Sequence, residues 1–571
     1  LLTQTHQIGT ATPELLVNNI YEDLGQLKAK EVGAKTQKID YSYNIRGWLT
    51  EINKVAALQQ GTDPKDLFAF KINYNTISSG IAGVSALYNG NIAETQWATS
   101  TDNTVRTYGY KYDALNRLNE ALYKKGSVVS NAYDEKLTYD ANGNIKTLTR
   151  YGSLNDTTPV LIDDLTYAYK TAASNQLMKV TDTKVNNASF SNEFKDSAAN
   201  AVDDYAYDAN GNMTKDNNKN ITAITYNHLN LPSQITFGTL GNISYIYNAT
   251  GQKVQKVVVE PGKTTITTDY LGGYQYSNNA LKFFPTAEGY VEPVGSSYKY
   301  VYQYKDHLGN VRLSYDKTLV IQEENNYYPF GLKHSSYSVP IVVSTNDALK
   351  YKYNGKEWQD ENIGGSQLNM YDYGARNYDP ALGRWMNIDP LAEQMRRHSP
   401  YNYAFDNPIY FIDPDGMAPD GPIDPPKKYV PSPGFPGSNS SMKLDEVVIK
   451  AKDSYKGTYF DNSNYGRGVN PYSPMTNADP YVALYVGGGI LAAEAAPAIV
   501  AGYEAYSSWY AGTSVAEAFT LNTVKTALLG FVTTSGGQYI ASGFDVNSIS
   551  VKKNIVTSPF GGLGGLVLKS S

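Results

Sequence analysis

Among the Asp-Pro units of a 571-residue chain, Asp389-Pro390 and Asp413-Pro414 stand out, with two arginines, Arg376 and Arg384, upstream of the first. A pair of carboxyls can hydrolyse an amide without a metal. One must be ionised to activate a water, while the other, still protonated, polarises or protonates the scissile group. At short distance both cannot ionise, so they share a proton and titrate as a pair. A neighbouring arginine would favour the ionised member and hold its geometry. Taken singly, each Asp-Pro starts a turn, because Asp caps local backbone and Pro fixes φ. The two aspartates are 24 residues apart, so only the fold can bring them together. Paired carboxyls also serve glycoside hydrolysis, which predicts an open cleft, and no motif here supports it.

Other chemistries are excluded or unsupported. The chain has no Cys, hence no disulfide, thiolate metal site or cysteine nucleophile. Its five histidines, His6, His228, His307, His334 and His398, follow no metal-ligand spacing and read as turn or surface residues. The Gly-x-Gly groupings follow no strand-to-helix pattern, so neither cofactor nor metal is expected. A formal charge of −6 gives no basic footprint for nucleic acid.

The elements that must position the aspartates are read from a repeated phrase. It runs YKYDALNRLNEALY from Tyr110, LTYDANGNIKTLTR from Leu137, YAYDANGNMTKD from Tyr205, ITYNHLNLPSQITF from Ile224 and YIYNATGQKVQKVVV from Tyr245. Weaker copies begin at Tyr41, Tyr302 and Tyr351. Each has an alternating stretch ending in Tyr, in most copies Tyr-x-Tyr, then a polar turn and a second alternating stretch, which is the grammar of a β-hairpin. The 50 tyrosines suit such strands, since the ring offers area to cross-strand neighbours while the hydroxyl can stay in water. They are expected in packing rather than in a carbohydrate-binding platform. Hairpins laid side by side make one long sheet, each covering the edge of the last.

These phrases resemble the YD repeat of Rhs proteins, teneurins and the C components of Tc toxin complexes, over about residues 41–417. The resemblance implies a mainly β fold, a spiral of hairpins forming a hollow shell around an enclosed polypeptide, here possessing few enough repeats to be partial. The segment from Leu368 is similar to the Rhs-associated core domain. Its ordered elements are Tyr373 to Pro380, Gly383 to Trp385, Asp389-Pro390, Tyr401-Asn402-Tyr403, Asn407-Pro408 and Asp413 to Met417. That family cuts its own chain after the terminal motif by an aspartic-protease-like mechanism. Carried over, Asp389 and Asp413 would be the acid pair, Arg376 the assisting arginine with Arg384 a second candidate, and Met417–Ala418 the scissile bond. A stretch from Ala392 to Pro400 with Glu393, Arg396, Arg397 and His398 departs from the commoner glycine-bearing pattern.

The expected organisation is an N-terminal piece of the repeat region (1–40), a repeat shell (41–367), the core domain (368–417), a Pro/Gly/Ser-rich linker (418–442) and a variable tail (443–571). The tail is Ala/Gly-rich and expected to be helical. From Ala418 onward there are 11 Lys plus Arg, 11 Asp plus Glu and no His. His-metal nucleases, Zn deaminases and Cys hydrolases are thereby excluded for it. Its apolar runs, Tyr481 to Ala493 and Thr526 to Phe544, are unconvincing as spans, although membrane contact by the tail remains an alternative to buried packing. The first residues carry no secretion signal and no Met, so a piece of a longer secreted or surface protein is expected. The resemblance implies a toxin effector whose partners are its own enclosed tail, a delivery machinery and an immunity protein. The rival is a surface adhesion protein with a vestigial core domain, carbohydrate being its expected ligand.

Overall fold

The computed structural model describes residues 1–184, 189–190, 193–197, 202–335 and 346–419, together with the backbone of four short strands in the tail. The chain divides into two units, Leu1–Gly468 and Val469–Ser571. In the second, Leu484–Val486 pairs antiparallel with Gly489–Leu491, and Ile549–Ser550 with Lys569–Ser570. The described part of the tail is therefore strand. The rest of the expected helical segment, and the linker beyond Pro419, lie outside the described residues.

The first unit is β throughout, as the repeats require. Thirteen strands from Thr3–His6 to Leu177–Asp182 pair in sequence order. A hairpin of Tyr205–Tyr207 and Met213–Asp216 follows, then eleven further strands from Ala223–Tyr226 to Ile321–Glu324, again in order. The first forty residues supply three of these strands and the start of a fourth, Gln37–Tyr43. The phrase at Tyr351 departs from expectation. Two 3-10 turns, Asp347–Lys350 and Tyr353–Gly355, replace a wall hairpin, and Glu357–Gln359 joins the small sheet of the core segment instead.

The repeated tyrosines have a specific mechanical role. In unit after unit the pairing register shifts immediately before the tyrosine that ends the first strand of the hairpin, at Tyr112, Tyr139, Tyr226 and Tyr247. A bulge re-aims one side chain and increases local twist. Here it turns the ring toward the preceding hairpin, whose backbone accepts the hydroxyl. Tyr112 donates to the Ile92 carbonyl at 2.7 Å, Tyr139 to Leu118 at 2.6 Å, Tyr226 to Met213 at 2.5 Å and Tyr247 to Pro232 at 3.0 Å. Each bond is worth about 0.5–1.5 kcal/mol net, and the series staples successive hairpins by side chain as well as by ladder.

The buried faces meet across the unit. Tyr302 donates to Glu14 and Tyr304 to Gln37, each at 2.7 Å, joining late strands to the earliest. Between the walls lies the core segment, anchored by fully buried Arg150. Its guanidinium bonds Glu135 at 2.6 Å and Asp163 at 3.3 Å, and donates to the carbonyls of Pro380 at 2.8 Å and Ala381 at 2.7 Å. His334 is no surface residue. It is 1% exposed and stacks on Tyr133 at 3.9 Å, and burial holds its imidazole well below the ordinary range, hence neutral. A neutral ring packs like an aromatic, which spacing along the chain cannot reveal.

Candidate active site at an aspartate pair

The core segment contains a four-stranded sheet of Glu357–Gln359, Met370–Asp372, Asn377–Asp379 and Arg384–Trp385. Arg376 sits in the turn between its second and third strands, whose sharpness is met by Gly374 at φ 96°. Beyond the sheet the chain runs through irregular backbone to Asp389, loops out through Ala392–Gln394, and returns by way of the 3-10 turn Ala404–Asp406 to Asp413.

Arg376 and the two aspartates meet. One nitrogen, Nη2 of Arg376, bonds Asp389 Oδ2 at 2.6 Å and Asp413 Oδ2 at 3.1 Å. Nε of the same guanidinium donates to the Gly416 carbonyl at 2.6 Å, and Nη1 reaches the Pro400 carbonyl at 3.4 Å. The plane of the guanidinium lies over Trp385, 4.1 Å from the ring centroid, a cation–π contact that fixes its orientation. All three charged residues are buried, Asp413 completely.

The remaining carboxyl oxygens face backbone. Asp389 Oδ1 accepts from the Leu391 N–H at 2.7 Å. Asp413 Oδ1 accepts from the N–H groups of Gly416 at 2.7 Å and Met417 at 3.1 Å, so it folds the terminal Asp-Pro-Asp-Gly turn onto itself. Gly416 has φ +83°, and a Cβ there would lie 3.0 Å from the Arg376 backbone nitrogen. The turn needs glycine to bring its carbonyl to the guanidinium.

Burial pushes the Asp389 carboxyl up to about 6, against the opposing pull of Arg376. Burial also raises Asp413, with Arg376 and the turn N–H groups opposing it. Desolvation lowers Arg376 while both aspartates raise it. Two carboxyls held above their ordinary range around one cation can carry a single proton between them near neutral pH.

The six residues foreseen from the sequence divide. Asp389, Asp413 and Arg376 converge, and Met417 and Ala418 follow directly on the turn, half-buried. Arg384 lies elsewhere. It donates to the Asn175 carbonyl at 3.0 Å and sits over the rings of Tyr169 and Tyr401. Sequence reasoning missed Trp385 as the platform of Arg376 and Gly416 as its carbonyl partner. The Gly-Arg-aromatic and Asp-Pro-x-Gly elements were the available signals. Among the described residues no group of His, Asp and Glu could hold a metal ion.

Comparison with known proteins places the fold. The crystal structure of TcdB2-TccC3 superposes with a TM-score of 0.53 at 18% identity, covering 72% of this chain and 20% of that one. Toxin subunit YenC1 of Yersinia entomophaga is 32% identical over 120 residues, 21% of this chain and 11% of that protein. The repeat unit has the fold of an Rhs/YD-repeat shell. Other relatives it matches include salivary gland surface protein 1 of Aedes aegypti, 28% identical over 37% of this chain and 6% of that protein. The tRNA nuclease WapA of Bacillus subtilis is 25% identical over 53% of this chain and 12% of that protein. This chain thus spans only 6% to 12% of the curated relatives it resembles. No family model matches it.

Proposed function

We propose that this YD-repeat chain belongs to a toxin-type effector that cuts itself once, after Met417, and so frees its C-terminal segment for delivery. The observation that carries this reading is the single guanidinium, Arg376, bonding both aspartates and the backbone of the terminal turn. Asp413, with more N–H donors, keeps the negative charge and takes a proton from a water. The resulting hydroxide adds to the Met417 carbonyl carbon while Asp389 gives its proton to the developing oxyanion. The C–N bond then breaks as the Ala418 amine leaves with the proton Asp413 had accepted, and Asp389 takes back a proton from the gem-diol as the Met417 carboxyl forms. Arg376 holds the peptide immediately upstream, which orients the carbonyl to be attacked. The released segment stays within the hairpin walls until delivery, an immunity protein guards the producing cell, and the protein acts outside it. Names among the relatives, toxin subunit and nuclease, support a toxin role.

Full-chain synthesis followed by mass spectrometry tests this directly: a new N-terminus at Ala418 is expected, and one uncut 62.8 kDa species refutes it. The rate should depend on pH. With Asp389 losing its proton above about 6, the first-order rate of cutting falls roughly tenfold per unit from pH 7 to 8, and falls again at low pH once both carboxyls are protonated. Time-sampled cell-free synthesis at several pH values reads the profile. Gly416→Ala is expected to slow cutting by about tenfold or more, because about 1–3 kcal/mol of backbone strain shifts the carbonyl off Arg376; equal rates in the two chains would contradict that role.

A further inference from the structure

Three connections of the wall, the loop leading into strand Glu94–Thr99 and two hairpin tips, carry the same triplet, Asn89-Gly90-Asn91, Asn142-Gly143-Asn144 and Asn210-Gly211-Asn212. In each, both asparagine amides donate to the side-chain oxygen of one asparagine in a following turn: Asn116 in the first, Asn175 in the second, Asn230 in the third. That asparagine's backbone carbonyl then accepts from the core segment. Asn407 Nδ2 reaches Asn116 O at 3.1 Å, Arg384 Nη2 reaches Asn175 O at 3.0 Å and Asn387 Nδ2 reaches Asn230 O at 3.0 Å. In the first and third connections the same core amide also donates to the triplet's second asparagine, at 3.1 Å to Asn91 Oδ1 and 3.3 Å to Asn212 Oδ1. Core side chains also lie directly on the triplet glycines: the Gly211 carbonyl accepts from the Tyr401 hydroxyl at 2.7 Å, and a Cβ at Gly143 would come within 2.9 Å of Asp406 Oδ2.

We infer that Asn387 and Asn407, with Arg384 at the middle tip, are positioning residues that plug the core segment into three equivalent wall sockets and thereby set how Asp389 and Asp413 approach each other. Asn387 precedes Asp389 by two residues, and Asn407 precedes Asp413 by six. The two aspartates therefore stand on limbs pinned to different sockets, with no direct ladder between the limbs at that point. Each amide is buried and offers donors to two acceptors at once, so its loss leaves both unsatisfied and frees the limb. The inference rests on the self-cleavage reading.

Full-length chains with Asn387→Ala, Asn387→Asp or Asn407→Ala are synthesised cell-free and their cutting timed from pH 8 to 5.5, with melting temperatures taken on the same chains. Each variant is expected to cut about 10- to 100-fold more slowly than wild type, the scale of a misplacement near 1 Å, while still melting cooperatively. Asn387→Asp sets a carboxylate against two acceptors but becomes a donor when protonated. Its rate relative to wild type therefore recovers on acidification, whereas that of Asn387→Ala stays flat. Wild-type rates in the alanine variants, or parallel pH dependence of the two Asn387 variants, overturn the socket inference alone. An uncut wild-type chain overturns the self-cleavage reading and this inference together.

Discussion

Asp413→Asn is expected to leave the full chain intact, with cutting slowed by at least about 10⁴-fold, the scale seen when a member of a concerted catalytic group is removed. The substitution keeps the shape and can keep one accepting oxygen for the Gly416 and Met417 N–H groups. It removes the negative charge that takes a proton from water. Asp389→Asn should act equally, since neither carboxyl alone can be both base and acid, and the double variant should be no slower than either. The measurement is the ratio of full-length to cut chain over time, with circular dichroism showing that the fold is retained. Cutting at wild-type rate in either single variant would sink the aspartate mechanism while leaving the fold assignment untouched.

Arg150→Met should produce the largest loss of stability, about 3–5 kcal/mol, because it strands two fully buried carboxylates, Glu135 and Asp163. It also removes the donors that hold Pro380 and Ala381, so the wall loses its grip on the core segment. The pH dependence has a definite sign. Burial already pushes Asp163 up to about 7 and raises Glu135. A carboxyl raised in the folded state binds its proton more tightly there than when unfolded, so folding gains stability as pH falls through about 7 and keeps the full gain below the ordinary carboxylate value. Without the guanidinium both groups rise further. The melting deficit of the variant should accordingly shrink between pH 8 and 5.5, and a deficit independent of pH would show that the charge pair is not its cause.

The hairpin architecture was legible because turn chemistry and alternation are local. A polar Asn-Gly or Asp-x-x-Asn turn between Tyr-x-Tyr and a second alternating run can satisfy its backbone in few other ways. The phrase at Tyr351 has the same letters and a different outcome: its strand at Glu357–Gln359 pairs with Met370–Asp372 in the core sheet, and that choice of partner depends on surfaces remote in sequence. The aspartates and Arg376 were identifiable through the ordered pattern around them, whereas Arg384, nearer to Asp389 in sequence than Arg376 is, points at Asn175 instead. Proximity along the chain says little once a sheet strand intervenes.

The sequence by itself determined the repeated hairpins and the β class, which follow from local periodicity and turn residues, and named the candidate acid pair through the resemblance carried by the ordered core motif. Tertiary structure alone decided that one guanidinium nitrogen holds both carboxyls, that the tyrosines ending first strands staple each hairpin to the one before, and that ordinary turn asparagines become sockets for the core. The physical reason is the same in each case. A hydrogen bond needs its partner within about 3 Å and correctly aimed, and partners separated by tens to hundreds of residues acquire that geometry only when the walls have packed.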